Sequence, residues 1–173
     1  MKSFYKELSL KTDQNNLLDF QENLSPYVED FDFFSITDLT QESFEWVKES
    51  GIQNGLLTLQ ALHTTCVVAI NELDEPCLLG DLNRALREFI PKARQDRKPY
   101  LHNSGLRTKN LCEDDYKCDT NADAHMKSFL FGSPSQSVII RDGKPVWGTW
   151  QRLCLIDLDG PRERRAVVQI IGE

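Results

Sequence analysis

The sequence predicts an α+β domain, a mainly antiparallel β-sandwich with about three helices, spanning residues 1–173. Three observations lead there. Short apolar runs rich in Val, Ile, Leu and Thr recur between polar turns, as strands do. Three stretches of helical period are bounded by capping signals. A chain of 173 residues that is 40% hydrophobic and 27% charged has the composition of a globular domain able to bury a core.

Taken in order, Phe4 to Leu10 and Phe33 to Leu39 read as short strands. Thr40 offers an N-cap for a first helix in which Phe44 and Val47 share the buried face. Glu42 and Glu45 suit its N-terminal half, and Gly51 can take the left-handed conformation that closes it. Gly55 to Leu62 and Thr65 to Ile70 are apolar runs suited to core strands, joined at His63-Thr64. Glu75-Pro76 opens the clearest helix, with Pro76 acceptable in the first turn. Leu78, Leu82, Ala85, Leu86 and Phe89 recur at helical spacing up to Pro91 and form a predicted core stripe. Asp81 beside that stripe reads as a solvated carboxylate, and the helix dipole accounts for Asp74 and Glu75.

From Pro91 to Thr120 the composition becomes charged and irregular, longer than an ordinary connector, and segments of that kind are functional or disordered. Tyr100 inside it can anchor the chain to the body. A third helix is expected from Asn121 to just before Gly132, with Ala122, His125 and Phe129 near one face. The last part reads as antiparallel sheet. Ser137 to Ile140 is a strand, Asp142-Gly143 a two-residue turn, and Val146 to Leu158 a longer strand interrupted or bent near Gly148. Asp159-Gly160-Pro161 turns the chain into a final strand, Arg165 to Ile171. Arg162, Arg164 and Arg165 by that turn could receive a phosphate, but a solvated turn paired with Glu163 explains them better.

Composition also narrows the function classes. No run of about 18 apolar residues is present to cross a bilayer, and the opening Met1-Lys2-Ser3-Phe4-Tyr5-Lys6-Glu7 lacks the apolar segment of a secretion signal, so a cytoplasmic protein is expected. A formal charge of -7 works against a polyanion such as nucleic acid. A small phosphorylated ligand needs only a few local cations. The five cysteines, odd in number, read as thiols: Cys66 as a small apolar strand residue, Cys112 and Cys118 as a weak pair whose spacing does not match the usual zinc modules.

The three histidines, His63, His102 and His125, each lie in a compact polar cluster beside apolar sequence. Three unrelated, partly buried histidines are one reading, and a shared metal site is the other. In the first turn of its helix, His125 would be kept neutral by the positive helix end, as a metal ligand requires.

The string Ser135-Gln136-Ser137-Val138-Ile139-Ile140-Arg141-Asp142-Gly143-Lys144-Pro145-Val146-Trp147-Gly148-Thr149-Trp150-Gln151-Arg152-Leu153 resembles the signature of the YjbQ-like family, also called the secondary thiamine-phosphate synthase family. It is joined in order by His63-Thr64-Thr65, by Asn71-Glu72 with Pro76 and Asp81, and by Tyr100 with His102-Asn103. Asn121-Ala122 with His125 and Lys127-Ser128, and the terminal Gly172-Glu173, complete the likeness along nearly the whole chain. The segment from Gly105 to Thr120 is enlarged relative to that pattern, and Phe129 and Phe131 stand where Ser and Leu are common.

The resemblance implies a compact α+β fold with a β-sandwich, a homotrimer, and a polar site around the histidine motifs. On that footing His63, His102 and His125 are expected to bind a divalent metal, zinc foremost, with magnesium entering with a substrate. Glu72 and His102 are the expected catalytic groups for proton transfer. Thr64, Thr65, Asn103, Lys127, Ser128, Trp150 and Gln151 are the expected substrate contacts, with Asn71, Asp81 and Asn103 orienting groups at the metal. The activity implied is a transferase joining a pyrimidine diphosphate to a thiazole phosphate with release of pyrophosphate. A metal-assisted hydrolase of a small phosphorylated substrate and a non-enzymatic trimeric metal- or ligand-binding protein are the alternatives.

Overall fold

The structure is a computed structural model and describes residues 1–12, 34–92, 100–104 and 120–173. The predicted pattern of strands and helices holds. Among the described residues eight strands form two antiparallel sheets: β1 (Lys2–Lys11), β2 (Ser35–Asp38), β3 (Gly55–Ala61), β4 (Cys66–Asn71), β5 (Ser135–Arg141), β6 (Lys144–Pro145), β7 (Arg152–Asp157) and β8 (Glu163–Gly172). The larger sheet runs β1-β8-β3-β5-β6 and the smaller β2-β7-β4. Among the described residues three helices accompany them, α1 (Thr40–Ser50), α2 (Pro76–Phe89) and α3 (Ala122–Phe131), with a 3-10 turn at Leu101–Asn103.

Alternation of side chains along each strand sorts the layers. Leu57, Leu59 and Ala61 of β3, Val138 and Ile140 of β5 and Ala166, Val168 and Ile170 of β8 point inward from the larger sheet. They meet Cys66, Val68, Leu153 and Leu155 of the smaller one in a single buried cluster that Trp46 and Val47 of α1 complete. The outer face of the smaller sheet is apolar as well. Val67 packs there with Leu86 of α2, Ala124 of α3, Phe34 and Leu158. The helices α2 and α3 therefore lie over this sheet as a third layer, which is why β4 carries consecutive buried residues instead of strict alternation.

The turn signals act as expected in two places. Gly51 closes α1 in the left-handed region at φ 63°. Asp142 and Gly143, both at positive φ, make the tight turn between β5 and β6.

Several local expectations are corrected. Thr40 is not the N-cap of α1 but its first residue, buried, with its hydroxyl accepting the Leu153 N–H at 2.9 Å; the Asp38 carboxylate caps the Thr40 N–H instead. Trp46 shares the buried face of α1 with Val47, whereas Phe44 is only half-buried. The segment expected as one long strand from Val146 to Leu158 is two separate pieces. Lys144–Pro145 ends the larger sheet, and after a crossing at 146–151 the chain enters the smaller sheet as Arg152–Asp157. Gly148 marks that change of sheet, where its N–H is taken by the Gln151 side chain.

The predicted stripe of α2 is the largest correction. Leu86 is buried, but Leu78, Leu82, Ala85 and Phe89 are exposed, Phe89 at 71%. The buried face is instead Leu79, Asn83, Leu86 and Ile90, one residue further round the helix. Apolar residues cover both faces of α2, so periodicity alone could not choose between them.

Candidate functional site

Two of the three histidines meet. The 3-10 turn at Leu101–Asn103 begins after Tyr100, whose hydroxyl donates to the Pro91 carbonyl at 2.7 Å and so anchors the turn to the end of α2. The side-chain oxygen of Asn103 accepts the N–H of Ala122 at 3.1 Å, capping the first turn of α3 from outside the helix. That bond fixes where His102 sits relative to α3. Its ring lies edge-to-face against the ring of His125, centroids 5.1 Å apart and planes 72° apart. His102 is exposed and His125 half-buried.

His63 is placed differently. Its Nε2 accepts the backbone N–H of Arg165 at 2.9 Å, so the turn between β3 and β4 is tied to β8 through the ring itself. An Nε2 that accepts must be unprotonated, which puts the proton of the neutral ring on Nδ1. Partial burial, followed by the charges of Arg164 and Arg165, pushes the His63 pKa below its ordinary value. Among the described residues no group of three or more His, Cys, Asp or Glu side chains is arranged to hold a metal ion. Within one chain a closed three-histidine centre therefore does not fit the geometry, whereas His102 and His125 supply two adjacent imidazoles.

Next to His63 lies a network that sequence reasoning missed. Arg164 was expected in a solvated turn with Glu163, but it is buried and grips Asp157 with two bonds of 2.6 and 2.8 Å. Thr12 donates to the same carboxylate at 2.8 Å, and Arg164 also reaches the Thr65 hydroxyl at 3.4 Å. Burial alone would raise the Asp157 carboxyl, but the bonds from Arg164, Thr12 and the Asp159 N–H outweigh it and hold the group below the usual range. A signal for this was present: Arg164 is in phase with Ala166, Val168 and Ile170, the inward positions of β8.

The remaining expected residues spread around the fold. Thr64 is exposed, while Thr65 is buried and occupied by Arg164. Glu72 follows β4 at the end opposite His63, and a six-residue strand separates its own ends by about 17 Å. The β4–β7 register, which pairs Asn71 with Arg152, brings Glu72 toward Gln151 and exposed Trp150. The Arg152 guanidinium there pairs with Asp74. Asp81 is exposed and paired with Arg84, as a solvated carboxylate would be.

Lys127 is not beside His125 in space. At about 100° per residue, a step of two places it on the far side of α3, and there it is buried against Asp123 at 2.8 Å with its ammonium 5.2 Å from the Phe34 ring centre. Ser128 is half-buried, nearer the face of His125. Cys66 is a buried strand residue, as read from sequence, its thiol pushed up to about 12 by burial and then by Asp157; that environment suits no nucleophile. Cys112 and Cys118 lie outside the described residues, as do Phe33 and the enlarged part of the 105–120 segment up to residue 119. No helix among the described residues is long and apolar enough to cross a membrane.

Comparison with known proteins agrees with the resemblance. The family model for UPF0047 protein YjbQ-like matches residues 27–173. A UPF0047 protein of Methanocaldococcus jannaschii is 35% identical over 138 residues, covering 80% of this chain and 86% of its own length. The UPF0047 protein YugU of Bacillus subtilis is 32% identical, covering 78% and 88%. Among solved structures, a YbjQ-like protein of unknown function from Sulfolobus solfataricus superposes with a TM-score of 0.71 at 29% identity, covering 99% of both chains. A hypothetical protein from Aeropyrum pernix gives 0.68 at 29% identity, covering 98% of this chain and 99% of that one. By sequence and by fold, this chain belongs to the YjbQ-like UPF0047 family.

Proposed function

We propose that the protein is a cytoplasmic transferase acting on small phosphorylated molecules, of the thiamine-phosphate synthase type, with His102 and His125 at its reacting centre. The observation that carries this reading is the edge-to-face meeting of those rings, tied to the start of α3 by the Asn103 bond. In the reaction the thiazole nitrogen forms a bond to the methylene carbon of the pyrimidine diphosphate. The carbon–oxygen bond to the diphosphate breaks, and its electron pair leaves with pyrophosphate. No proton need be removed from the nucleophile. The protein's task is to hold the two partners in line and to stabilise the charge growing on the departing oxygen. A ring N–H donated from His102 or His125 to that oxygen, which gains negative charge as it leaves, is a charge-assisted bond of the stronger kind.

A divalent ion, zinc or the magnesium carried by a diphosphate, would find His102 and His125 as its protein donors, with His63 available only from another subunit of a homotrimer. None of the steps above is routed through it. Beyond the Asn71–Arg152 pair of β4 and β7, Trp150 and Gln151 would offer a flat ring and an amide to the heterocycle, with Glu72 on the neighbouring strand end.

The test supplies the purified chain with the two precursors and measures thiamine phosphate and pyrophosphate. Both should appear in equal amounts, and His102→Gln and His125→Gln should each lower kcat by about 100- to 1,000-fold. Phosphate released from one precursor alone would replace the transferase with a hydrolase. Turnover that survives both substitutions undiminished would remove the histidine pair from the chemistry.

A further inference from the structure

The face of α3 opposite His125 borders a polar concavity. Phe34, Asp123, Lys127, Arg87 of α2 and residues of the Asp157–Gly160 turn line a cleft of about 130 Å³. A shallower recess lined by Lys92, Asn121 and Arg162 continues from it. We propose that this cleft is a binding site for the phosphoryl group of a small phosphate monoester, independent of the histidine pair, with Lys127 and Arg87 as its cations.

The argument is an accounting of charge and hydrogen bonds. Three carboxylates border the cleft, and each is already engaged: Asp157 by the buried fork of Arg164, Asp159 by Arg162 at 3.3 Å and by the Asn121 amide at 2.8 Å, Asp123 by Lys127. The cations are not used up in the same way. The Lys127 ammonium is almost wholly buried and has three N–H donors; one goes to Asp123, and the Phe34 ring faces another. A donor remains without a described acceptor, in a setting where burying a charge is expensive unless its bonds are completed. Arg87 projects to the same cleft, half-buried, and no described carboxylate pairs with it. A tetrahedral dianion supplies an acceptor oxygen for the remaining Lys127 donor, whose charge Asp123 already balances, and both acceptor and compensating charge for Arg87. Size sets the class of ligand. A cavity of this kind needs only about 10–15 Å³ to admit one water, so the cleft has room for a phosphoryl group. The rest of the molecule would lie in the recess beside Lys92 and Arg162.

Inorganic phosphate titrated into the full chain, followed by calorimetry and by the thermal midpoint, tests this. Wild type should bind saturably, and its midpoint should rise with phosphate concentration. Arg87→Gln should weaken binding by at least about tenfold, the loss expected for a hydrogen bond to a charged group, while leaving the phosphate-free midpoint unchanged because Arg87 has no described carboxylate partner. Asp123→Asn combined with Lys127→Met removes both charges of the buried pair together and should abolish binding. His102→Gln should bind phosphate as wild type does, which separates this site from the transferase reading. Absence of saturable binding to wild type, or an Arg87→Gln protein that binds equally well, would overturn the proposal.

Discussion

The chain holds its histidines in two contrasting ways. His63 is built into the frame: its Nε2 accepts the Arg165 N–H, and the bonds among Asp157, Arg164, Thr12 and Thr65 lock the ground beside it. His102 sits on an exposed 3-10 turn, held near His125 by the Ala122 N–H bond to Asn103 and by the Tyr100 bond to Pro91. A ring whose acceptor nitrogen is spent on backbone has a fixed tautomer and a structural duty. A pair of rings at a surface turn keeps its edge-to-face contact with one ring exposed to solvent. The same residue type thus ties strands together in one region and forms a ring pair at a surface turn in the other.

If the first region is a frame, cutting it should cost the most. Arg164→Met leaves the fully buried Asp157 carboxylate without its guanidinium, and breaking a buried pair in this way costs about 3–5 kcal/mol. Urea unfolding of the variant against wild type measures it, and a loss below about 1 kcal/mol would mean that the network is not the frame. Of smaller size is the pH response of His63. Its pKa is lowered in the fold, so the unfolded chain takes up the proton first as pH falls. Its stabilising contribution is therefore complete above the unfolded pKa near 6.5, declines below it, and is lost by the time pH passes the lower folded value. His63→Gln should flatten that part of the stability profile as pH falls below about 6.5. An identical slope in wild type and His63→Gln would show that other groups govern it.

What the sequence made legible follows the same division. Element type was readable wherever local chemistry decides it: Gly51 at the end of α1, Glu75 capping the N–H groups of Cys77 and Leu78 ahead of Pro76, Asp142-Gly143 between β5 and β6. The meeting of Asn103 with the start of α3 could not be read, because it joins a turn to a helix nineteen residues away through one side-chain oxygen. Arg164 was misassigned for a related reason. Its neighbours suggested a charged turn, and only the phase of β8 and the arrival of Asp157 from β7 make it a buried residue. Likewise Lys127 follows His125 closely in the chain yet faces the opposite way, since a helix separates residues two apart.

The exposed stripe of α2 gives the smallest expected effect and the sharpest control on the contrast between buried and surface function. Leu82 lies among Leu78, Ala85 and Phe89 on the face turned from the sheet, and 38% of it is accessible. Replacing an exposed side chain away from caps and networks changes stability by no more than about 0.5 kcal/mol, whereas removing a buried leucine costs about 2–5 kcal/mol. Leu82→Ala should therefore unfold at nearly the wild-type urea concentration, and Leu86→Ala, one turn along on the packed face, should not. The pair also tests assembly. If Leu82→Ala proves as costly as Leu86→Ala, and its stability rises with protein concentration, then another copy covers the stripe in solution and the face read here as surface is an interface.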